Sequence, residues 1–405
     1  MNEQTVSIRT ALMPLCYKDF HCLAGDCRDN CCGGWEIAFN KKDYLHIKRS
    51  AKSQELREIL SEGMSRLRGD AHDELYARFD MDAGGQCRFQ TAEGLCRLQM
   101  ECGAETLPHV CRVYPRQEWD TPAGRELSLS PSCEAVLALL WDLPQGIDFW
   151  EEPLPKRDWK NVEVYPRWRR FAEIRSFCID VLQERTLPLA HRLLLLGLLL
   201  QRLKGTEWAE PGVVDEWLAW GESQLRSPAT AAALGQLPKN RESFLSSNFQ
   251  MLMELYKAHA AGAAVYQELF SAFTAGADRA DPGMASVDLL RYQALEGQLE
   301  ELLGHTEHFF ENLMVMTAFY LSFPDVDNPG DLWKSYVDLC CMYSFWRFAA
   351  VYGCAQESSR ERLFHVLGTV NRGLLHDSRT RRRLLDELIE GNSASLAHMA
   401  ILLGG

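Results

Sequence analysis

Ten of the chain's fourteen cysteines fall within the first 133 of its 405 residues, and they come in groups. Cys22-x4-Cys27-x3-Cys31-Cys32 is followed directly by Gly33-Gly34-Trp35. Cys87-x8-Cys96-x14-Cys111 runs into Arg112-Val113-Tyr114-Pro115-Arg116, with Cys133 further on. Thiols this dense are either bridged to one another or bound to a metal. The opening Met1-Asn2-Glu3-Gln4-Thr5 has no basic stretch leading into an apolar run, so the expectation is a cytoplasmic chain with reduced thiols. Metal is therefore the expected partner of Cys22, Cys27, Cys31, Cys32, Cys87, Cys96, Cys111 and Cys133. Four thiolates make a structural zinc site and also hold an iron–sulfur cluster, and the segment has enough for either, or for two centres. His21, His72 and His109 are substitute ligands. Cys31 and Cys32 are adjacent, so their side chains are expected to point different ways. Glycines beside the cysteines let backbone wrap closely around a centre and aim N–H groups at sulfur.

The net charge of −13 argues against nonspecific nucleic-acid binding and tolerates a basic, lysine-bearing partner. The longest purely apolar run, Leu193–Leu200, is eight residues, against about 20 needed to span a bilayer. It reads as a buried helix; exposed, it would favour oligomers or peripheral membrane contact.

Residues 1–145 read as a Cys-rich, loop-rich metal-binding domain, with one helical stretch at 41–68 and a short apolar helix at 134–143. A Pro-rich linker or strap covers 146–166. From 167 to 405 the pattern is helical, with helices expected at 167–185, 188–204, 211–226, 240–258, 261–274, 284–304, 306–322, 331–353, 358–373, 378–390 and 394–403. The fold class is mainly α. Cys178, Cys340, Cys341 and Cys354 sit in apolar helical surroundings and read as core. No Gly-x-Gly-x-x-Gly loop, P-loop, Gly-x-Ser-x-Gly elbow or His-Glu-x-x-His is present. Cys27-x3-Cys31 starts a Cys-x3-Cys-x2-Cys run, but position 34 is glycine.

At Phe20-His21-Cys22, Cys31-Cys32-Gly33-Gly34-Trp35-Glu36-Ile37, Gly94-Leu95-Cys96-Arg97-Leu98-Gln99, Leu107-Pro108-His109-Val110-Cys111-Arg112-Val113-Tyr114-Pro115-Arg116 and Glu126 to Ala135, the chain resembles the flagellin lysine-N-methylase family. Glu307-His308-Phe309-Phe310-Glu311-Asn312, leading to Phe323-Pro324, extends the likeness into the helical half. Cys102 lies outside the pattern, and Pro131 precedes Cys133 where the family places proline after it. The resemblance implies methyl transfer from S-adenosylmethionine to lysine ε-amines of flagellin, with an iron–sulfur cluster, 4Fe-4S, implicated. For the cofactor, Arg112 and Arg116 flanking Tyr114 offer a carboxylate clamp, and Trp35 a stacking surface. Asp19, Glu36 and Glu134 are candidate bases. The alternative function is a zinc or iron–sulfur interaction protein without transferase activity.

Overall fold

The computed structural model describes residues 4–28, 30–33, 35–68, 73–121, 124–164, 170–208, 210–259, 264–275, 288–304, 306, 308–324 and 332–404. Gly34, His72, Pro166 and Glu307 lie outside these residues. The amino-terminal part carries β1 (Gln4–Ile8), β2 (Thr10–Pro14), β3 (Ala38–Phe39), α1 (Lys41–Ser50), α2 (Gln54–Gly63), β4 (Met64–Arg66), β5 (Ala77–Phe79), α3 (Arg97–Cys102), α4 (His109–Val113), β6 (Arg116–Thr121), β7 (Gly124–Leu129), α5 (Glu134–Trp141), β8 (Phe149–Pro153) and β9 (Lys160–Val164).

The stretch expected as one helix over 41–68 is two helices and a strand. Asn40 Oδ1 accepts from Asp43 N at 2.8 Å to start α1, and Ser53 Oγ accepts from Leu56 N at 3.1 Å to start α2. Each cap satisfies a backbone N–H that a new helix leaves without an internal partner. After Gly63 the chain turns extended and pairs as β4 with β5, which also pairs with β3. This small sheet and helices α1 and α2 enclose a compact core built on Ile47, Leu56, Leu60, Phe79, Phe89 and Leu98.

A second sheet has the order β6-β7-β2-β8, and β1 pairs with β9 in a third. Within it β2 runs parallel to β7 and antiparallel to β8. Residues 146–166, read from sequence as a strap, thus contribute two strands. The amino-terminal part is a mixed α/β structure rather than the loop-rich one expected. Its strands escaped notice because they are short and their alternation is masked: β7 buries Arg125, Glu126 and Ser128 along with Leu129.

The remainder is helical: α6 (Phe171–Gln183), α7 (Leu189–Leu203), α8 (Val213–Leu225), α9 (Pro228–Gly235), α10 (Arg241–His259), α11 (Ala264–Thr274), α12 (Leu289–Leu303), α13 (His308–Tyr320), α14 (Leu332–Gly353), α15 (Arg360–Leu375), α16 (Ser378–Glu390) and α17 (Leu396–Leu403). Every helix expected there is present, and α9 is additional. Its Pro-Ala-Thr-Ala-Ala-Ala-Leu-Gly sequence has too few large apolar residues to show a period. Cys178, Cys340, Cys341 and Cys354 are buried in the helical core, as read. Helix α14 runs through the middle of that core, where Trp346 Nε1 donates to Asn371 Oδ1 of α15 at 2.7 Å. The Leu193–Leu200 run is buried in α7 except for Leu198. No helix among the described residues is long and apolar enough to cross a membrane.

Sheet and helices form one continuous apolar core, which includes Leu129 and the inner face of α5. Across it, buried Arg175 of α6 meets buried Glu126 of β7 at 2.5 Å and donates to Phe323 O at 2.6 Å. Asn371 Nδ2 donates to Pro131 O at 2.9 Å, and Asn312 Nδ2 to Leu140 O and Leu143 O at 2.8 Å. These bonds hold the segment bearing Cys133 rigidly against the helices.

Candidate functional site

All fourteen thiols are free of disulfides. Cys31 and Cys32 lie in a turn, and the Cys32 carbonyl accepts from Cys87 N at 2.6 Å. Bridges Gly33–Gln86, Met81–Cys87 and Gln90–Cys96 zip the two cysteine-bearing segments together. Cys96 caps α3 and Cys111 lies inside α4, so both face the same small core, into which Cys32 and Cys87 also pack. The structure brings Cys31 within electrostatic reach of Cys32, Cys87, Cys96 and Cys111.

Their acidities differ for definite reasons. A hydrogen bond from Cys32 is the main cause that draws Cys31 down to about 7, with Arg372 adding to it. The same bond, with burial, drives Cys32 far upward. The expectation that these adjacent side chains diverge is therefore not met, because a turn, unlike a strand, sets neighbours side by side. Burial pushes Cys87 up to about 11 and raises Cys96 and Cys111, with the charge of Cys31 contributing to each.

Cys22, Cys27 and Cys133 form a second group around the start of α5. Cys27 Sγ donates to Glu134 Oε2 at 3.4 Å, and the same oxygen accepts from Arg28 N at 2.9 Å. Ala24 N donates to Cys22 Sγ at 3.4 Å. Cys133 is pushed up to about 12, first by burial and then by Cys31 and Cys22. Cys31 thus stands between the two groups. The donor chemistry, soft thiols without disulfides in partly desolvated surroundings, fits a thiolate-bound metal or cluster. As they stand, no three histidine, cysteine, aspartate or glutamate side chains among the described residues are arranged to hold an ion. His21 and His109 are solvent-facing: His21 Nδ1 meets Asp19 O at 2.8 Å, and the His109 backbone N–H donates to Asp43 Oδ2 at 3.0 Å.

Of the residues offered for the cofactor, Trp35 sits closest to the thiols. Its Nε1 donates to Cys31 O at 3.0 Å, and its ring packs against His376 at 4.6 Å and Tyr114 at 5.6 Å. Tyr114 shares a hydrogen bond with Ser132 Oγ at 2.9 Å, and burial drives its hydroxyl well above the usual range. Arg112 is half-exposed, 3.9 Å from Glu105, and Arg116 lies over the Phe20 ring at 4.8 Å. The two arginines therefore do not converge with Trp35. Sequence reasoning missed His376, the residue after α15, whose Nε2 meets Ser132 Oγ at 2.7 Å. Nothing local marks it.

Beside the thiols opens a cavity of about 900 Å³, between the 80–86 turn and helices α11 and α15. Gly33, Trp35 and Gln86 line it, and Arg372, which influences Cys31, reaches it from α15. Glu36, a candidate base, also lines it and is paired with Arg78 at 2.6 Å.

The sequence model of the family described as the FliB lysine N-methylase C-terminal domain matches residues 175–402, more than half of the chain. The chain belongs to this family. The FliB match covers the helices, from α6 to α17, and leaves the cysteine segments outside it. Among named relatives, the lysine-N-methylase of Salmonella choleraesuis (strain SC-B67) is 25% identical over 178 residues, 43% of this chain and 42% of its own length. The lysine-N-methylase of Salmonella typhimurium (strain LT2) matches to the same extent, 25% over 178 residues. The flagellar biosynthetic protein FliU of Salmonella muenchen is 25% identical over 174 residues, 42% of this chain and 96% of its own. The chain thus spans 42% of the length of the two lysine-N-methylases it matches. No solved structure matches it.

Proposed function

We propose that this protein transfers methyl groups from S-adenosylmethionine to lysine ε-amines of flagellin and depends on an iron–sulfur cluster held by its amino-terminal cysteines. Membership of the FliB family carries this reading, and two relatives are named for lysine N-methylation. Flagellin as the substrate is supported by the flagellar name of a third. Cys31, Cys32, Cys87, Cys96 and Cys111 are the primary candidates for ligands, because each senses the charge of at least one other. Cys22, Cys27 and Cys133 form the reserve set for a second centre. A cluster held by these thiolates would supply a redox-active centre with a Lewis-acidic iron.

The transfer balances without further reagents. The donor's sulfonium gives up its methyl and becomes a neutral thioether, the lysine nitrogen gains the methyl, and one proton leaves for solvent. A lysine ammonium has no lone pair, so it reacts only after deprotonation, which a partly apolar cleft favours by lowering its pKa. Trp35, Phe79, Met81 and Val265 supply apolar surface of that kind around the cavity.

Protein purified without oxygen should be brown, contain iron and sulfide, and place label from methyl-labelled S-adenosylmethionine on lysines of unmethylated flagellin. Unlabelled flagellin in the presence of an intact cluster ends the proposal. A colourless, zinc-containing protein that labels nothing would leave a metal-stabilised interaction protein.

A further inference from the structure

The helical half supplies none of the thiols assigned to metal, yet the last turn of α15 is braced against the two segments that carry Cys31 and Cys133. Buried Asn371 donates through Nδ2 to Pro131 O at 2.9 Å. Arg372 donates to Asn30 O at 3.3 Å, and the Asn30 side chain in turn accepts from Cys32 N at 3.0 Å. His376, which follows the helix, meets Ser132 Oγ at 2.7 Å, and Ser132 Oγ also meets Tyr114 Oη and Ser130 Oγ at 2.9 and 2.7 Å. The same imidazole packs at 4.6 Å against Trp35, whose Nε1 donates to Cys31 O at 3.0 Å. Asn30, Pro131 and Ser132 stand one or two places before a cysteine, and Trp35 holds one by its carbonyl. Packing of a helix on a loop needs only a complementary apolar face. Here the polar groups of one helix turn are spent on residues beside thiols. Such anchors fix where each Cβ points, and so place the sulfurs before any metal arrives.

We propose that the carboxyl-terminal turn of α15 is part of the metal centre: it sets the Cys31 and Cys133 thiols relative to each other, with His376 as the positioning residue that joins their two segments. The proposal rests on the reading of these cysteines as metal ligands and adds what the helices of the FliB match do for them. His376 acts through Ser132 and Trp35 and is not itself a ligand, because its Nε2 is engaged by Ser132.

The test uses the full chain purified without oxygen, well below its unfolding temperature. Loss of iron to a chelator is followed by the decay of visible absorption. His376→Ala should lose iron about tenfold faster than the wild type, the low end of what partners behind metal ligands contribute. It should also shift the electron paramagnetic resonance signal of the reduced protein. His376→Gln, which keeps a hydrogen-bonding group for Ser132, should recover part of that loss. Asn248→Ala is the structural control, because Asn248 Nδ2 donates to Ser344 Oγ at 2.7 Å between α10 and α14, inside the helical core. It should lower the melting temperature while iron loss and signal stay as in the wild type. Wild-type behaviour of His376→Ala overturns the proposal, and so does equal acceleration in Asn248→Ala, which would reduce His376 to overall stability. Where the chain holds zinc instead, release to a chromogenic chelator gives the same comparison, so the positioning role is judged apart from the cluster. A wild-type chain that binds no metal sinks both.

Discussion

His376 shows what a single side chain contributes here. Its ring is wedged among Trp35, Tyr114 and Ser132, all from the amino-terminal part, while Arg372 and Arg381 approach from its own side. Burial first, and then those two arginines, hold its pKa down to about 4 from 6.5. The folded chain therefore keeps the ring neutral where the unfolded chain would protonate it. Stability from this site is fully present above pH 6.5 and is lost as pH falls through about 4, a change on the order of 3 kcal/mol across the window. Denaturant unfolding of the wild type at stepped pH should show that loss, and His376→Gln should flatten the curve over the same interval. An identical slope in both proteins would rule out His376 as its source. The sequence offered no hint of this residue, because Ser132 and His376 are 244 positions apart and a lone histidine beyond a helix end carries no pattern. Cysteines were legible because a clustered, reactive residue type announces itself; partners of a buried hydrogen bond do not.

At the scale of elements, legibility followed amphipathic period. Helix α16 was read at its observed limits, Ser378–Glu390, because Asp377 caps it and Gly391 ends it. Helix ends elsewhere moved by a few residues; β2 and β8 went unread because their pairing partners lie far away in sequence, and β7, though it pairs locally with β6, because it buries polar residues and shows no clean alternation. Helix contacts carry their own constraint. In α7, Gly197 faces the Tyr336 ring of α14 so closely that an added Cβ would lie 2.3 Å from its hydroxyl oxygen and 2.4 Å from Cζ. Alanine in place of a mid-helix glycine normally gains roughly 1 kcal/mol. Here the overlap is with a fully buried ring that has no free space to enter. Overpacking of this sort costs about 1–3 kcal/mol, so Gly197→Ala should be destabilising against its helix propensity. Chemical denaturation reads the sign directly, and a gain in stability would mean that α7 and α14 do not pack as described.

At the scale of the molecule, the described residues form two apolar cores of unequal size. The larger runs from Cys16 to Leu403 and takes in the four-stranded sheet, α5 and the helices; the smaller spans Ile37 to Leu107 and packs against Cys32, Cys87, Cys96 and Cys111. A unit with so small a core is marginal by itself, and small domains of this kind commonly draw on metal ligation for stability. Thiolate ligation by these residues would tie the 31–33, 87–96 and 111 segments into one closed network. Removal of iron with a chelator under reducing conditions should then loosen the smaller unit and spare the larger. Limited proteolysis of the stripped protein should cut within 37–111, while a fragment that retains β6 to α17 survives and keeps most of its helical circular dichroism. The untreated protein should resist at the same protease dose. Equal digestion of both units after chelation would show that the cores are coupled. Unchanged protection of 37–111 would show that these thiols bind no stabilising metal.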